Sequence, residues 1–280
     1  MDATFLTGAI IALRTFSPFG FLQLPARLGL GVTITLCWLF AHASEASGDG
    51  NILFQSTEKQ TTLVELFTSE GCSSCPPAEA WLGKLSTNPG LWSEFVPIAF
   101  HVNYWDGLGW KDRFASPVFT QRQRAYAASW NNESVYTPGF VVNGREWNWF
   151  SEPRLPAATG ASRGVLSVRQ IANERLAFSF APVAASTSKW DLHVALLGSG
   201  IASKVARGEN GGRELHHDFV VLNYELIPMT ADAGIAHTEW TLASSHAEKV
   251  TRTALATWVT IHDTPVPIQA TGGWLRPAIQ

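Results

Sequence analysis

The sequence predicts an α/β domain followed by an all-β, sandwich-like domain, and three observations carry that expectation. Leu63, Val64, Leu66 and Phe67 form a buried-strand pattern that passes through a polar turn into a helical pattern at Ala78–Leu85. A second apolar run at Phe95–Val102, a helical stretch at Val118–Trp130 and a hairpin centred on Asn143-Gly144 extend this into a β-α-β unit with a hairpin. From Gly164 onward the pattern changes to short strands separated by turns, with no sustained 3.6-residue apolar period. The α/β part is expected over about residues 60–160 and the β part over 163–280, joined near Ser162.

The chain of 280 residues, 46% of them hydrophobic, is long enough for two cores. A net charge of −3 gives no electrostatic footprint for nucleic acid and no polybasic membrane patch. The 12 tryptophans are many; most are expected to fill cores, though aromatic-dense loops also line clefts. Residues 1–43 look like targeting sequence. Arg27 precedes an uncharged apolar run, Leu28 to Phe40, and Ala41-His42-Ala43 fits a small-x-small cleavage site. That run is shorter than the about 20 residues a membrane span needs, so cleavage with no stable span is expected; the alternatives are a start that lies upstream of the true one and an anchor formed by residues 4–40. The mature chain is expected in the periplasm or secreted, and Leu36 before Cys37 is too large for a lipoprotein site.

Cleavage near Ala43 leaves two cysteines, Cys72 and Cys75, at the junction between the first strand and the first helix. There, unpaired backbone N–H groups and the positive end of the helix dipole stabilise a thiolate. A bridge over two residues closes too small a loop to staple a fold. Zinc would require further Cys or His ligands at matching spacing, so no metal and no cofactor are expected. Redox chemistry is the leading reading of the pair. Transient metal binding and an inert local disulfide are the alternatives.

Asn88-Pro89-Gly90 stops the first helix. The loop after the second strand, Asn103–Pro117, is long and holds Tyr104, Trp105, Asp106, Trp110, Lys111 and Asp112, and loops of that length tend to be functional. Pro138 follows Thr137 at the entry to the hairpin; it is either an ordinary trans turn proline or a cis one that sets a backbone edge beside the sulfurs. Glu65, if buried, has the placement to exchange a proton with Cys75; facing solvent it is an ordinary carboxylate. His101, at the end of the neighbouring strand, either approaches the site or is an ordinary core or edge histidine, the commoner case. A last helix is expected within Glu152–Ala161, weakened by two prolines and a glycine.

The wording VELFTSEGCSSCPPAE, then HVNYWDGLGWKDRFASPVFTQRQRAYA, then VYTPGFVVNGREW resembles an uncharacterised family of exported bacterial thioredoxin-like proteins. The resemblance implies an α/β thioredoxin-like domain, with Cys72 as attacking thiol, Cys75 as resolving thiol and Pro138 as the cis-proline facing them. Glu65 stands near the buried acid of thioredoxins, one residue further away. Thr137, Trp105 and Tyr104 are the residues expected to meet substrate.

In the second half, strands are expected at Leu176–Phe180, Trp190–Leu197, Phe219–Ile227, Thr238–Leu242 and Thr257–His262. Ala206–Asp218 is Gly-rich and charged, and its Asn210-Gly211-Gly212 is either an ordinary polar hairpin tip or one that leans over the dithiol. His216 and His217 are adjacent, so on a strand they point to opposite faces and make poor joint ligands. The expected function is an exported thiol–disulfide oxidoreductase, with protein or small-molecule thiols and disulfides as partners. Ser73 and Ser74 bring no positive charge to the pair, which favours a reductase or isomerase over a strong oxidant. The alternative is a binding module such as a Cu(I) carrier or a docking protein without turnover. A hydrolase lacks a nucleophile motif.

Overall fold

The computed structural model describes residues 50–184, 186–242 and 250–276, so the targeting segment expected at 1–43 lies outside the described residues. The chain enters on strand β1 (Asn51–Gln55) and continues into β2 (Thr62–Thr68), buried along its whole length. Helix α1 (Pro76–Lys84) has Cys75 at its N-cap and prolines in its first positions, where a missing N–H breaks no helical bond. β3 (Phe95–His101) then runs parallel to β2. Helix α2 (Pro117–Ser129) starts where Ser116 Oγ accepts from Val118 N. The hairpin of β4 (Gly139–Val142) and β5 (Arg145–Trp147) turns on Asn143 and Gly144, whose φ of 47° and 79° are the left-handed pair a two-residue turn needs. Asn143 Oδ1 also accepts from Leu63 N, tying the turn to β2.

The remaining strands are β6 (Gly164–Ala172), β7 (Arg175–Pro182), β8 (Trp190–Ser199), β9 (Ile201–Lys204), β10 (Glu214–His217), β11 (Val220–Pro228), β12 (Thr230–Asp232), β13 (Ile235–Thr241), β14 (Arg252–Ile261) and β15 (Pro267–Trp274). They complete an eight-stranded sheet in the order β15-β14-β8-β11-β3-β2-β4-β5, a five-stranded sheet β1-β6-β7-β13-β12, and the hairpin β9-β10. The strands expected in the second half fall within or across β7, β8, β11, β13 and β14.

The expected pair of domains, α/β thioredoxin-like and then sandwich-like, is corrected by this topology. The fold is predominantly β, with α1 and α2 the two α-helices of the described residues. Val220 on β11 pairs in parallel with Ala99 on β3, so one sheet runs through both halves of the sequence, and the described residues all fall in one compact unit. The physical reason lies in β8 and β14. Leu192, Val194, Leu196, Leu255 and Val259 pack against Leu166, Val168, Phe178 and Phe180 of the five-stranded sheet. Their alternate neighbours Ala195, Leu197, Ala254, Ala256 and Trp258 join the other core, with Phe67, Phe100 and Tyr126. Strands buried on both faces are central, not the outer layer of a separate sandwich. The helix expected within 152–161 does not form; Pro153, Pro156 and Gly160 leave that stretch irregular.

Candidate active site

Cys72 and Cys75 are joined in a disulfide, their Cα atoms 5.4 Å apart, and neither is solvent-exposed. Successive turn bonds, Cys72 N to Ser69 O and Cys75 N to Cys72 O, hold the loop. The helix start is poorer in donors than the sequence suggested. Pro76 and Pro77 carry no N–H, while Ala78 N and Glu79 N both bond Cys75 O. What remains for a Cys72 thiolate is the dipole of a short helix and Ser74 Oγ, 3.3 Å from Cys72 Sγ.

The Thr137–Pro138 peptide is cis. Thr137 and Pro138 share a groove of about 700 Å³ with Ser74 of the dithiol loop, Pro77 of α1, Tyr136 just before them, and Trp147, Trp149 and Phe150 at the end of the β4–β5 hairpin and its exit. Trp105 and Tyr104 do not line it; they brace its wall. Trp105 Nε1 donates to Thr137 Oγ1 at 2.8 Å, and Tyr104 Oη donates to Gln123, whose Nε2 bonds Tyr136 O. A Cβ on Gly71 would lie 3.1 Å from Trp105 Cβ, so the glycine before Cys72 lets that indole sit close. Trp147, Trp149 and Phe150 were missed at the sequence level. Their signal was the aromatic run just past the hairpin.

Glu65 is buried but serves elsewhere. Its carboxylate accepts from Arg122 Nε at 2.6 Å and from Tyr126 Oη, both on α2. Thr68, three residues on, bonds Glu79 of α1, so Glu65 faces away from the helix that carries the cysteines.

The β9–β10 loop docks on the dithiol loop. Buried Asn210 donates through Nδ2 to Glu70 O and Cys72 O, both at 2.9 Å, and accepts from Arg213 at Oδ1. Glu209 accepts from Ser73 N at 3.0 Å and Ser73 Oγ at 2.7 Å, and these donors hold its carboxyl below the ordinary value.

Beneath the disulfide lies a buried polar cluster: Glu70 after β2, Glu79 on α1, His101 at the end of β3, Asp112 in the aromatic loop and His217 on β10. Glu79 is one helical turn from Cys75. His101 Nδ1 meets Asp112 Oδ2 at 2.7 Å; His217 Nδ1 meets Glu79 Oε2, and its Nε2 stands 3.3 Å from Glu70 Oε1. Burial opposes charge on His217, but Glu70 and Glu79 outweigh it and push the imidazole from 6.5 up to about 10. Burial likewise opposes charge on His101 and Asp112, and their mutual attraction prevails, raising the first and lowering the second. Five residues from five elements share no sequence spacing, so no motif announced the cluster.

A family model described as a protein of unknown function (DUF1223) matches residues 63–260. No curated protein matches the chain. Among solved structures, the chain is similar to a structural-genomics protein from Agrobacterium tumefaciens, at 25% identity over 78% of this chain and 95% of that one, with a TM-score of 0.55. It is also similar in fold to HBP35 of Porphyromonas gingivalis, at 14% identity over 79% of this chain and 76% of that one, with a TM-score of 0.50.

Proposed function

The chain belongs to the DUF1223 family, whose function is unknown, and from its site we propose that it is an exported thiol–disulfide oxidoreductase acting as a reductase or isomerase. The observation that carries the reading is the Cys72–Cys75 disulfide beside a groove walled by Thr137 and Pro138. The resemblance to exported bacterial thioredoxin-like proteins supports it at these residues only. Export rests on the segment Arg27–Ala43; no helix among the described residues is long and apolar enough to cross a membrane.

In the disulfide form, a partner thiolate attacks Cys72 Sγ, the Cys72–Cys75 bond breaks, and Cys75 leaves as a thiolate that takes up a proton. A second partner thiolate then attacks the partner sulfur of the mixed disulfide and releases Cys72. The partner loses two electrons and becomes a disulfide, and the chain gains them as a dithiol. Run in reverse, Cys72 attacks a protein or small-molecule disulfide and Cys75 resolves the adduct. An extended segment of substrate fits the groove, with its backbone along Thr137-Pro138 and an apolar side chain against Trp149 and Phe150. The proline-filled helix start leaves the thiolate only modestly stabilised, which supports the reducing direction.

The test is the reduction potential of the pair, equilibrated against glutathione and dithiothreitol. A reversible two-electron couple between roughly −120 and −270 mV is expected, the span of catalytic pairs. Cys75→Ser should accumulate a mixed disulfide with a model substrate, and Cys72→Ser should not. A pair that does not cycle, or a disulfide that dithiothreitol cannot open, overturns the reading in favour of a binding module without turnover.

A further inference from the structure

Among the described residues that line the groove beside the disulfide, one side chain is charged, Glu146 of β5. β5 is the outermost strand of the eight-stranded sheet, and Glu146 is exposed on it. Its Oε1 accepts from Tyr136 Oη at 2.6 Å, and it makes no ion pair among the described residues. Arg145 and Arg163 line a neighbouring cavity of about 530 Å³ but not this groove. The wall around Glu146 is aromatic and open, with Tyr136 49% and Phe150 85% exposed. Trp149 and Phe150 stand almost at right angles, their planes at 87° and their centroids 6.1 Å apart, and so form a corner.

An apolar substrate side chain closing over this wall would strip water from the Glu146 carboxylate without replacing its hydrogen bonds, and an acidic one would be repelled. A long basic side chain suits both features. Its methylene stem lies on the aromatic surface, and its charge is attracted by the ring faces and by the carboxylate. We propose that the groove selects a basic partner, an extended polypeptide segment with lysine or arginine flanking its disulfide-bonded cysteine, and that Glu146 determines this specificity. The inference rests on the oxidoreductase reading and names its substrate class. Ser74 of the dithiol loop and Glu146 line one groove, so a segment that brings its sulfur to the disulfide runs past the carboxylate.

The test compares peptide disulfides that are identical except for the residues flanking cysteine, which are Lys, Leu or Glu. Each is reduced by the full chain in its dithiol form. Each rate is divided by the rate with dithiothreitol, which removes the effect of the flanking charge on the peptide sulfur itself. Hydroxyethyl disulfide, small and uncharged, is the reference substrate. Normalised kcat/KM should be about tenfold higher for the Lys peptide than for the Leu peptide, and lowest for the Glu peptide. The spread should narrow as ionic strength rises. Glu146→Gln keeps an oxygen to accept from Tyr136 and removes only the charge, so the Lys-to-Leu ratio should fall several-fold; Glu146→Lys should turn the preference towards the Glu peptide. Equal normalised rates, with hydroxyethyl disulfide still reduced, overturn this inference and leave the oxidoreductase reading standing. A Lys preference unchanged in folded Glu146→Gln overturns it too. Reduction of none of these disulfides overturns both.

Discussion

Glu65 and Thr68 stand three residues apart on β2, and in a strand that spacing sends their side chains to opposite faces. Thr68 meets α1 through Glu79, whereas Glu65 meets α2 through Arg122 and Tyr126. Arg122 is enclosed further by Trp258, whose ring centroid lies 4.9 Å from the guanidinium carbon. The pair therefore belongs to the core under α2 and not to sulfur chemistry. Arg122→Ala leaves the Glu65 charge buried without its partner and should cost about 3–5 kcal/mol of stability in urea unfolding. The thiol-exchange rate of the folded variant should stay at the parent value. A folded Arg122→Ala protein with parent stability, or one whose exchange rate collapses, contradicts this placement. On the other face, the acid one turn from Cys75 is Glu79, which the identity of residue 65 alone could not have suggested.

Within the elements, the β9–β10 hairpin is tied to the loop that carries the disulfide. Asn210 fills two backbone acceptors of the dithiol loop and Glu209 holds Ser73, so this loop is pinned to the segment that carries the fully buried Cys72. Asn210→Ala leaves Glu70 O and Cys72 O without that donor, at a cost of about 1–2 kcal/mol to the docked form, and so enriches the open form about tenfold. The second-order rate of reduction by dithiothreitol should rise by a similar factor. An unchanged rate means that the loop is not what limits access. Local features of this site were legible in the sequence because their signals are local: the Cys-x-x-Cys pair, the Asn143-Gly144 turn, and the opposite facing of exposed His216 and buried His217. The docking of Asn210 on Cys72 joins residues 138 positions apart, and the polar cluster gathers residues from Glu70 to His217. Such pairings are set by how the sheets close, which no window of sequence contains. Tyr104 and Trp105 show the intermediate case. Their loop was singled out correctly as dense in aromatics, but their hydrogen bonds make them braces for residues 136–138 and not the groove lining itself.

At the scale of the whole molecule, the two-part reading of the sequence failed because the apolar pattern of a strand does not by itself tell a two-layer sandwich from the centre of a three-layer stack. β8 and β14 occupy the centre, with the five-stranded sheet on one face and the core beneath α2 on the other. Further ties cross the expected boundary near residue 162. Ala99 N bonds Phe219 O at 2.8 Å, and Trp92 packs edge-on against both Phe219 and Trp274. The fully buried Gln269 accepts from Thr61 N and donates to the carbonyls of Thr57, Lys59 and Gly164, so the entry to β2, the entry to β6 and β15 share one side chain. A break at residue 162 would strip β3 of its β11 neighbour and expose the second face of β8, so neither half retains a closed core. The molecule should therefore open globally as one cooperative unit. Native-state hydrogen exchange checks this directly. The slowest amides of β3 and of β8 should report the same opening free energy, within about 1 kcal/mol, and should shift together with denaturant. Two independent domains would give separate values with separate denaturant slopes. The shared core favours the first outcome, because parting β3 from β11 also uncovers Ala195, Leu197, Ala254, Ala256 and Trp258, which pack with Phe67, Phe100 and Tyr126.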